Sequence, residues 1–167
     1  ACVMMEAETT EPPQDQFLQR VQQLCHKNGA VFILDEIITG FRWHIGGAQR
    51  VYGIVPDLCT FGKAMANGFA LAALIGRRDL MERGGIHHPH ERVFLLSTTA
   101  GAESHALAAS IATIDTYMQH DVVGHLHRQG ERLRCGIDKA IDALELAPYF
   151  QVLGRPCNLI FATRDQS

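Results

Sequence analysis

The chain has 167 residues, a formal net charge of −3 and 20% charged side chains. This balance lacks the basic footprint of a nucleic-acid-binding protein, and no run of about 18 apolar residues predicts a membrane span. Five cysteines, an odd number without CxxC spacing, favour a reduced cytoplasmic protein over a disulfide-bonded secreted one. We therefore expect neither nucleic acid nor a membrane as the partner of this protein.

Apolar periodicity and turn residues predict alternating strands and helices along the chain. In chain order the predictions are a strand over 2–5, a helix over 15–28, strands over 31–35, 58–61, 71–75 and 93–96, a helix from 103 to about 120, a helix with its apolar face over 126–144, and a returning strand over 151–163. This order predicts an α/β fold, with a mainly parallel sheet and flanking helices.

Two of these strands end at ionisable side chains. Asp35 follows the apolar run Val31 to Leu34, and Lys63 follows the run Leu58 to Phe61, with small residues around it. Open parallel sheets bind ligands at the carboxyl ends of their strands. If both side chains contact one small ring, we expect the two strand ends to lie side by side, with both side chains opening into one cleft.

A lysine and a carboxylate in this arrangement suit pyridoxal phosphate. The lysine forms the Schiff base with the cofactor, and the carboxylate keeps the pyridine nitrogen protonated. Taken singly, however, an Asp at a strand end is usually a cap, and a Lys is usually a solvated surface charge. The sequence pattern alone indicates an α/β enzyme fragment, and dependence on a cofactor is one interpretation of the two residues.

A longer motif resembles a known family. The run from Leu34 to Gly68 reads LDEIITGFRWHIGGAQRVYGIVPDLCTFGKAMANG. It is similar to the cofactor-binding core of class III pyridoxal-phosphate aminotransferases, which have the fold type I architecture. Within them it is most similar to the glutamate-1-semialdehyde aminomutase branch. Ile38 supports that branch, because it stands where the branch has an apolar residue and many class III enzymes have Gln.

The resemblance implies roles for individual residues. Lys63 would hold pyridoxal 5'-phosphate covalently, Asp35 would pair with its ring nitrogen, and Ile37 would also contact the cofactor. The segment LLSTTAGAESHALAA resembles the one that reaches the cofactor phosphate of the partner subunit, which makes Thr98 the phosphate contact in a homodimer. The substrate would be a small amino, keto or aldehyde compound.

The resemblance also implies an organisation into domains. The chain would be the central part of a longer enzyme, with residues 1–120 in the large cofactor-binding domain. Residues 121–167 would form a connecting helix and the start of a small C-terminal α+β domain. The alternative is a catalytically silent fragment or pseudo-enzyme that only dimerises.

Three other features have two interpretations each. Arg42 either binds a substrate carboxylate or anchors its own loop, with the structural role favoured. Trp43 and His44 either line the substrate mouth or pack the loop. The segment with His87, His88 and His90 favours a surface loop over a metal site, because no fourth ligand stands at a suitable spacing. We therefore predict no metal.

Overall fold

The computed structural model describes residues 1–91 and 102–164. Four strands form one sheet in the order β1-β2-β3-β4: β1 Cys2–Glu6, β2 Val31–Asp35, β3 Leu58–Phe61 and β4 Ala73–Gly76. The first three strands are parallel, as predicted, and β4 is antiparallel to β3. Only a short segment without a crossover helix connects β3 to β4, and such a connection returns the chain antiparallel.

Five helices accompany the strands of the described chain. They are α1 Phe17–Lys27, α2 Ala48–Tyr52, α3 Arg78–Met81, α4 Ser104–Gln119 and α5 Val122–Ala143. The prediction for α1 began too early, because Asp15 and Gln16 adopt left-handed φ angles of 50° and 53° that a helix cannot include. Asp121 begins α5 by accepting a hydrogen bond from the Gly124 amide at 2.9 Å.

The C-terminal segment is a hairpin rather than one strand. β5 spans Phe150–Arg155, and β6 spans Asn158–Thr163 and runs antiparallel to it. The prediction of a single strand was wrong because Pro156 has no backbone N–H for a sheet ladder and stands at the turn between the two strands. The predicted strand over 93–96 lies outside the described residues. The domain boundary near residue 120, which falls between α4 and α5, stays a prediction.

The two faces of the sheet differ in burial. One face of β2 and β3 is buried and joins α1 in a single apolar cluster, which includes Leu18, Cys25, Phe32, Leu34, Cys59 and Phe61. Because strand side chains alternate, the other face carries Asp35 and Thr60, both half-buried. Among the described helices, none combines the length and apolarity that crossing a bilayer requires.

A buried carboxylate ties β2 to the start of β3. Asp57 is 3% exposed and accepts hydrogen bonds from the Phe32 amide and from Arg77, each at 2.8 Å, while His26 lies 3.3 Å away. Burial alone would raise the pKa of Asp57, but the amide, the guanidinium and His26 outweigh it and hold the pKa below its usual value.

We expect Asp57→Asn to lower the free energy of unfolding by about 2 kcal/mol at pH 7, because Arg77 and the buried amide lose a charged partner. The depressed pKa makes this contribution fully present above about pH 4, the value of an unfolded Asp. It is lost as the pH falls through the lower folded pKa, so the gap between the two proteins should close in acid. Denaturant unfolding at pH 7 and pH 3 measures both effects.

Asp79→Asn is the matched control, since Asp79 pairs with the same Arg77 but is 61% exposed. Its stability should stay close to that of the unmodified protein. Equal losses in the two variants would contradict the assignment of the stabilisation to the buried carboxylate.

Candidate functional site

The strand ends of Asp35 and Lys63 are neighbours, as predicted. β2 and β3 run parallel, with Asp35 in register with Thr60. Oδ1 of Asp35 accepts hydrogen bonds from the Ile37 amide at 2.9 Å and from the Thr60 hydroxyl at 3.0 Å. Oδ2 accepts none from the residues that the structure describes. Oδ1 thus holds the carboxylate in place, and Oδ2 can accept a hydrogen bond from a ligand.

Lys63 has an unusual backbone conformation. It begins a 3₁₀ turn, Lys63–Met65, with a φ of 43°, and its side chain is exposed. A left-handed φ on a non-glycine residue costs on the order of 1 kcal/mol, and such residues concentrate at functional sites. A Cβ at Gly62 would lie 2.9 Å from Cδ1 of Ile37. Gly62 therefore lets Ile37 pack directly before the lysine.

Lys63 lines a cleft of about 860 Å³. This volume suits a small-molecule site. Arg42 lines the same cleft, and α4 supplies Thr113, Thr116 and Tyr117 on another side. The described residues around it include no acidic side chain, so two cations face the cleft without a balancing charge. The cleft is therefore suited to a ligand that carries an anionic group.

Asp35 does not line this cleft. The expectation that both side chains open into one cleft therefore holds for Lys63 only. The two hydrogen bonds to Oδ1 keep the carboxylate at the end of its strand, on the half-buried face of the sheet. Ile37 links the two groups, because its amide binds Asp35 and its side chain packs at Gly62.

Sequence reasoning missed the residue that shapes the loop between β2 and α2. Glu36 is fully buried and accepts hydrogen bonds from the Thr39 hydroxyl and from the amides of Ala48, at 2.7 Å, and Gln49, at 2.9 Å. Burial raises the pKa of this carboxyl, against the effect of those donors. Gly47 has a φ of 78°, and a Cβ there would lie 2.4 Å from the carboxylate. The Gly46-Gly47 pair was the available signal, since it permits this close approach.

The same loop carries Arg42 and Trp43. Arg42 donates from Nη1 to the Ile38 carbonyl at 3.0 Å while it lines the cleft, and no described acidic side chain forms an ion pair with it. Trp43 is 7% exposed, and its ring packs against that of Tyr52 with 6.4 Å between the ring centroids. The loop-packing interpretation is therefore correct for this residue. The exposed His44 accepts from the Gly46 amide through its own side chain, which also favours a local role.

Tyr117 connects the loop to α4, and sequence reasoning missed this contact as well. Its hydroxyl donates to the carbonyl of Phe41, and the two rings meet edge to face at 5.5 Å. The ring of Phe41 also meets that of Phe61, two residues before Lys63, edge to face, with 6.3 Å between the ring centroids. The contact joins residues 76 positions apart, so no local sequence pattern predicts it.

Two predictions concern other parts of the chain. Thr98, the expected phosphate contact, lies outside the described residues. The rings of His88 and His90 meet edge to face at 5.6 Å. Within the described ranges, no group of three His, Cys, Asp or Glu side chains is arranged to hold a metal ion.

Comparison with curated proteins finds relatives along most of the chain. Residues 5–147 match the family model for class-III aminotransferases. The glutamate-1-semialdehyde 2,1-aminomutase of Thermomicrobium roseum is 36% identical over 151 residues, which is 90% of this chain and 34% of that protein. The 3-aminobutyryl-CoA aminotransferase of Cloacimonas acidaminovorans is 35% identical over 78% of this chain and 30% of its own length. The chain thus spans about a third of the curated relatives that it matches.

Solved structures share the fold. The N-acetylornithine aminotransferase of Stenotrophomonas maltophilia K279a superposes with a TM-score of 0.71 at 26% identity, over 95% of this chain and 40% of that one. The FumI protein of Sphingopyxis sp. MTA144 gives a TM-score of 0.81 at 21% identity, over 98% of this chain and 39% of that one, and this shows the fold alone. The architecture is therefore that of the fold type I aminotransferases. Since the family model covers most of its residues, the chain belongs to the class-III aminotransferase family.

Proposed function

We propose that this chain is the central part of a pyridoxal-phosphate-dependent enzyme that transfers amino groups. One observation carries the proposal: Lys63, with its left-handed φ, follows β3 and lines a cationic cleft, while Asp35 ends the neighbouring parallel strand with Oδ2 free of described partners. This pairing supports the active enzyme over the silent fragment, because a silent fragment requires neither a lysine at the cleft nor a carboxylate with an open oxygen.

A bound pyridoxal phosphate would reach from the cleft at Lys63 to the neighbouring strand end at Asp35, and the donors at both places fit it. An exposed amine at the cleft wall can bond to an aldehyde, and a carboxylate with one open oxygen can accept the N–H of a protonated ring. Arg42 and Lys63 give the cleft the positive charge that an anionic ligand needs. In this proposal Lys63, Asp35, Ile37 and Thr98 hold the cofactor, and Thr98 does so from the partner subunit.

The bound cofactor would supply a ring that withdraws electrons from the substrate carbon. Asp35 would hold the proton on the ring nitrogen through Oδ2, while Thr60 and the Ile37 amide fix Oδ1. The amine of Lys63 would move a proton at the substrate carbon once the substrate has displaced it. Ile37 would exclude water beside Gly62.

The substrate in this proposal is a small amino compound with a keto or aldehyde counterpart. The aminomutase relatives and Ile38 support a compound of the glutamate-1-semialdehyde kind. Arg42 is the described group that can bind a substrate carboxylate in the cleft, because its guanidinium forms no ion pair among the described residues.

The assembly we propose is a homodimer located in the cytoplasm, without nucleic-acid or membrane partners. Five free cysteines, two of them exposed, support a reducing compartment. The net charge of −3 lacks the basic excess that is typical of nucleic-acid-binding proteins. Sedimentation velocity of the purified protein measures the assembly.

Borohydride reduction after addition of pyridoxal phosphate tests the function. The sequence contains only three lysines, Lys27, Lys63 and Lys139, so peptide mass spectrometry can assign an adduct without ambiguity. We expect the reduced cofactor on the Lys63 peptide at concentrations that leave the other two unlabelled. Both of these are exposed helical lysines and serve as internal controls. Equal labelling of the three peptides would instead support the silent fragment.

A further inference from the structure

A charged cluster joins the C-terminal hairpin to the sheet. Arg155, at the end of β5, donates from Nη2 to Glu8 at 3.0 Å and to the Tyr52 hydroxyl at 2.9 Å. Tyr52 donates in turn to Glu8, whose side chain is 2% exposed. Arg155 and Glu8 are 147 positions apart in the chain. A buried carboxylate with a charged partner holds that partner in a defined place.

The same guanidinium lies over the indole of Trp43. Cζ of Arg155 is 4.3 Å from the ring centroid, within the range of a cation–π contact. The buried Nε1 of Trp43 has no acceptor among the described residues. The position of this ring therefore depends on packing and on Arg155, not on a hydrogen bond of its own.

Trp43 directly follows Arg42, the residue of this turn that lines the Lys63 cleft. The amides of Arg42 and Trp43 both donate to the Thr39 carbonyl, at 3.2 Å and 3.0 Å. Arg42 lines the cleft, and Tyr117 holds the neighbouring Phe41 carbonyl from the α4 side. Arg155 holds the opposite end of this short turn through Trp43.

We propose that Arg155 is a positioning residue: through the indole of Trp43 it orders the turn 39–44, and this ordering presents Arg42 to the Lys63 cleft. The C-terminal hairpin thereby influences ligand affinity without touching the ligand. The part of this inference that concerns the cofactor rests on the proposed function, whereas the ordering of the turn does not.

Arg155→Met and Arg155→Lys test the proposal in the purified protein. The lysine variant keeps a charge for Glu8 but loses the planar fork that stacks on the indole. We expect faster hydrogen exchange at the Arg42 and Trp43 amides in both variants, by about threefold to tenfold, the range for losing one partly desolvated cation–π contact. Trp43 is the only tryptophan of the sequence, and acrylamide should quench its fluorescence more strongly in both variants. Pyridoxal phosphate affinity, measured by absorbance titration, should fall by a similar factor.

Arg134→Met is the matched control, because Arg134 also binds the hairpin, through the Gly154 carbonyl. It should lower overall stability without changing the Trp43 signal or the exchange of the turn. If Arg155→Met fails to fold, the double variant Glu8→Gln/Arg155→Met removes the orphaned carboxylate and allows the same measurements.

Unchanged fluorescence and exchange in folded Arg155 variants would overturn the proposal. So would a disordered turn that leaves pyridoxal phosphate affinity unaltered, since ligand binding would then not depend on the order of the turn. If the unmodified protein binds no pyridoxal phosphate at Lys63, the proposed function fails and the cofactor arm of the inference fails with it. The exchange and fluorescence measurements still decide whether Arg155 orders the turn.

Discussion

In the proposed full-length enzyme, Lys63→Ala should abolish covalent attachment of pyridoxal phosphate and lower the turnover of amino transfer at least about a thousandfold, because one side chain supplies both the bond to the cofactor and the proton transfer. The fold should survive the change. Lys63 is exposed, and alanine experiences the same left-handed φ as lysine. Borohydride trapping followed by peptide mass spectrometry measures attachment, and a single-turnover assay measures transfer.

Lys27→Ala is the control for this experiment, since Lys27 is an exposed residue of α1 far along the chain from the cleft-lining turn. It should retain attachment and turnover. A Lys63→Ala protein that still forms a specific adduct, on Lys27 or Lys139, would show that the assignment of the lysine is wrong.

In the same full-length enzyme, Asp35→Asn should keep the cofactor attached but reduce turnover about a hundredfold or more, because the amide cannot hold the ring nitrogen protonated. The substitution is nearly isosteric. Its carbonyl oxygen can still accept from the Ile37 amide and the Thr60 hydroxyl, so the strand end should keep its geometry. Steady-state turnover together with the borohydride adduct separates the two effects.

Thr60→Val provides the matched comparison for Asp35. It removes one hydrogen bond to Oδ1 but leaves the charge and the hydrogen bond from the Ile37 amide, so turnover should fall less than in Asp35→Asn. If Asp35→Asn were as active as Thr60→Val, the charge at residue 35 would have no part in the reaction.

Local patterns predicted the strands that carry the proposed site. β2 and β3 have the predicted boundaries, since short β-branched and apolar runs between turn residues fold as buried strands in most tertiary contexts. The left-handed residues before α1 and the Pro156 turn account for the two clearest errors. In both places the local backbone geometry of one or two residues overrode a periodic pattern.

The sequence alone determined which strands end in ionisable groups, and thus which two side chains to compare. Only the tertiary structure decided what surrounds them: that Asp35 lies outside the Lys63 cleft, that Glu36 is buried beneath the loop, and that Tyr117 reaches Phe41. Side-chain periodicity follows from the geometry of one strand or helix and is therefore readable locally. Contacts such as Arg155 with Glu8 depend on how distant elements pack, and no spacing in the sequence encodes that distance.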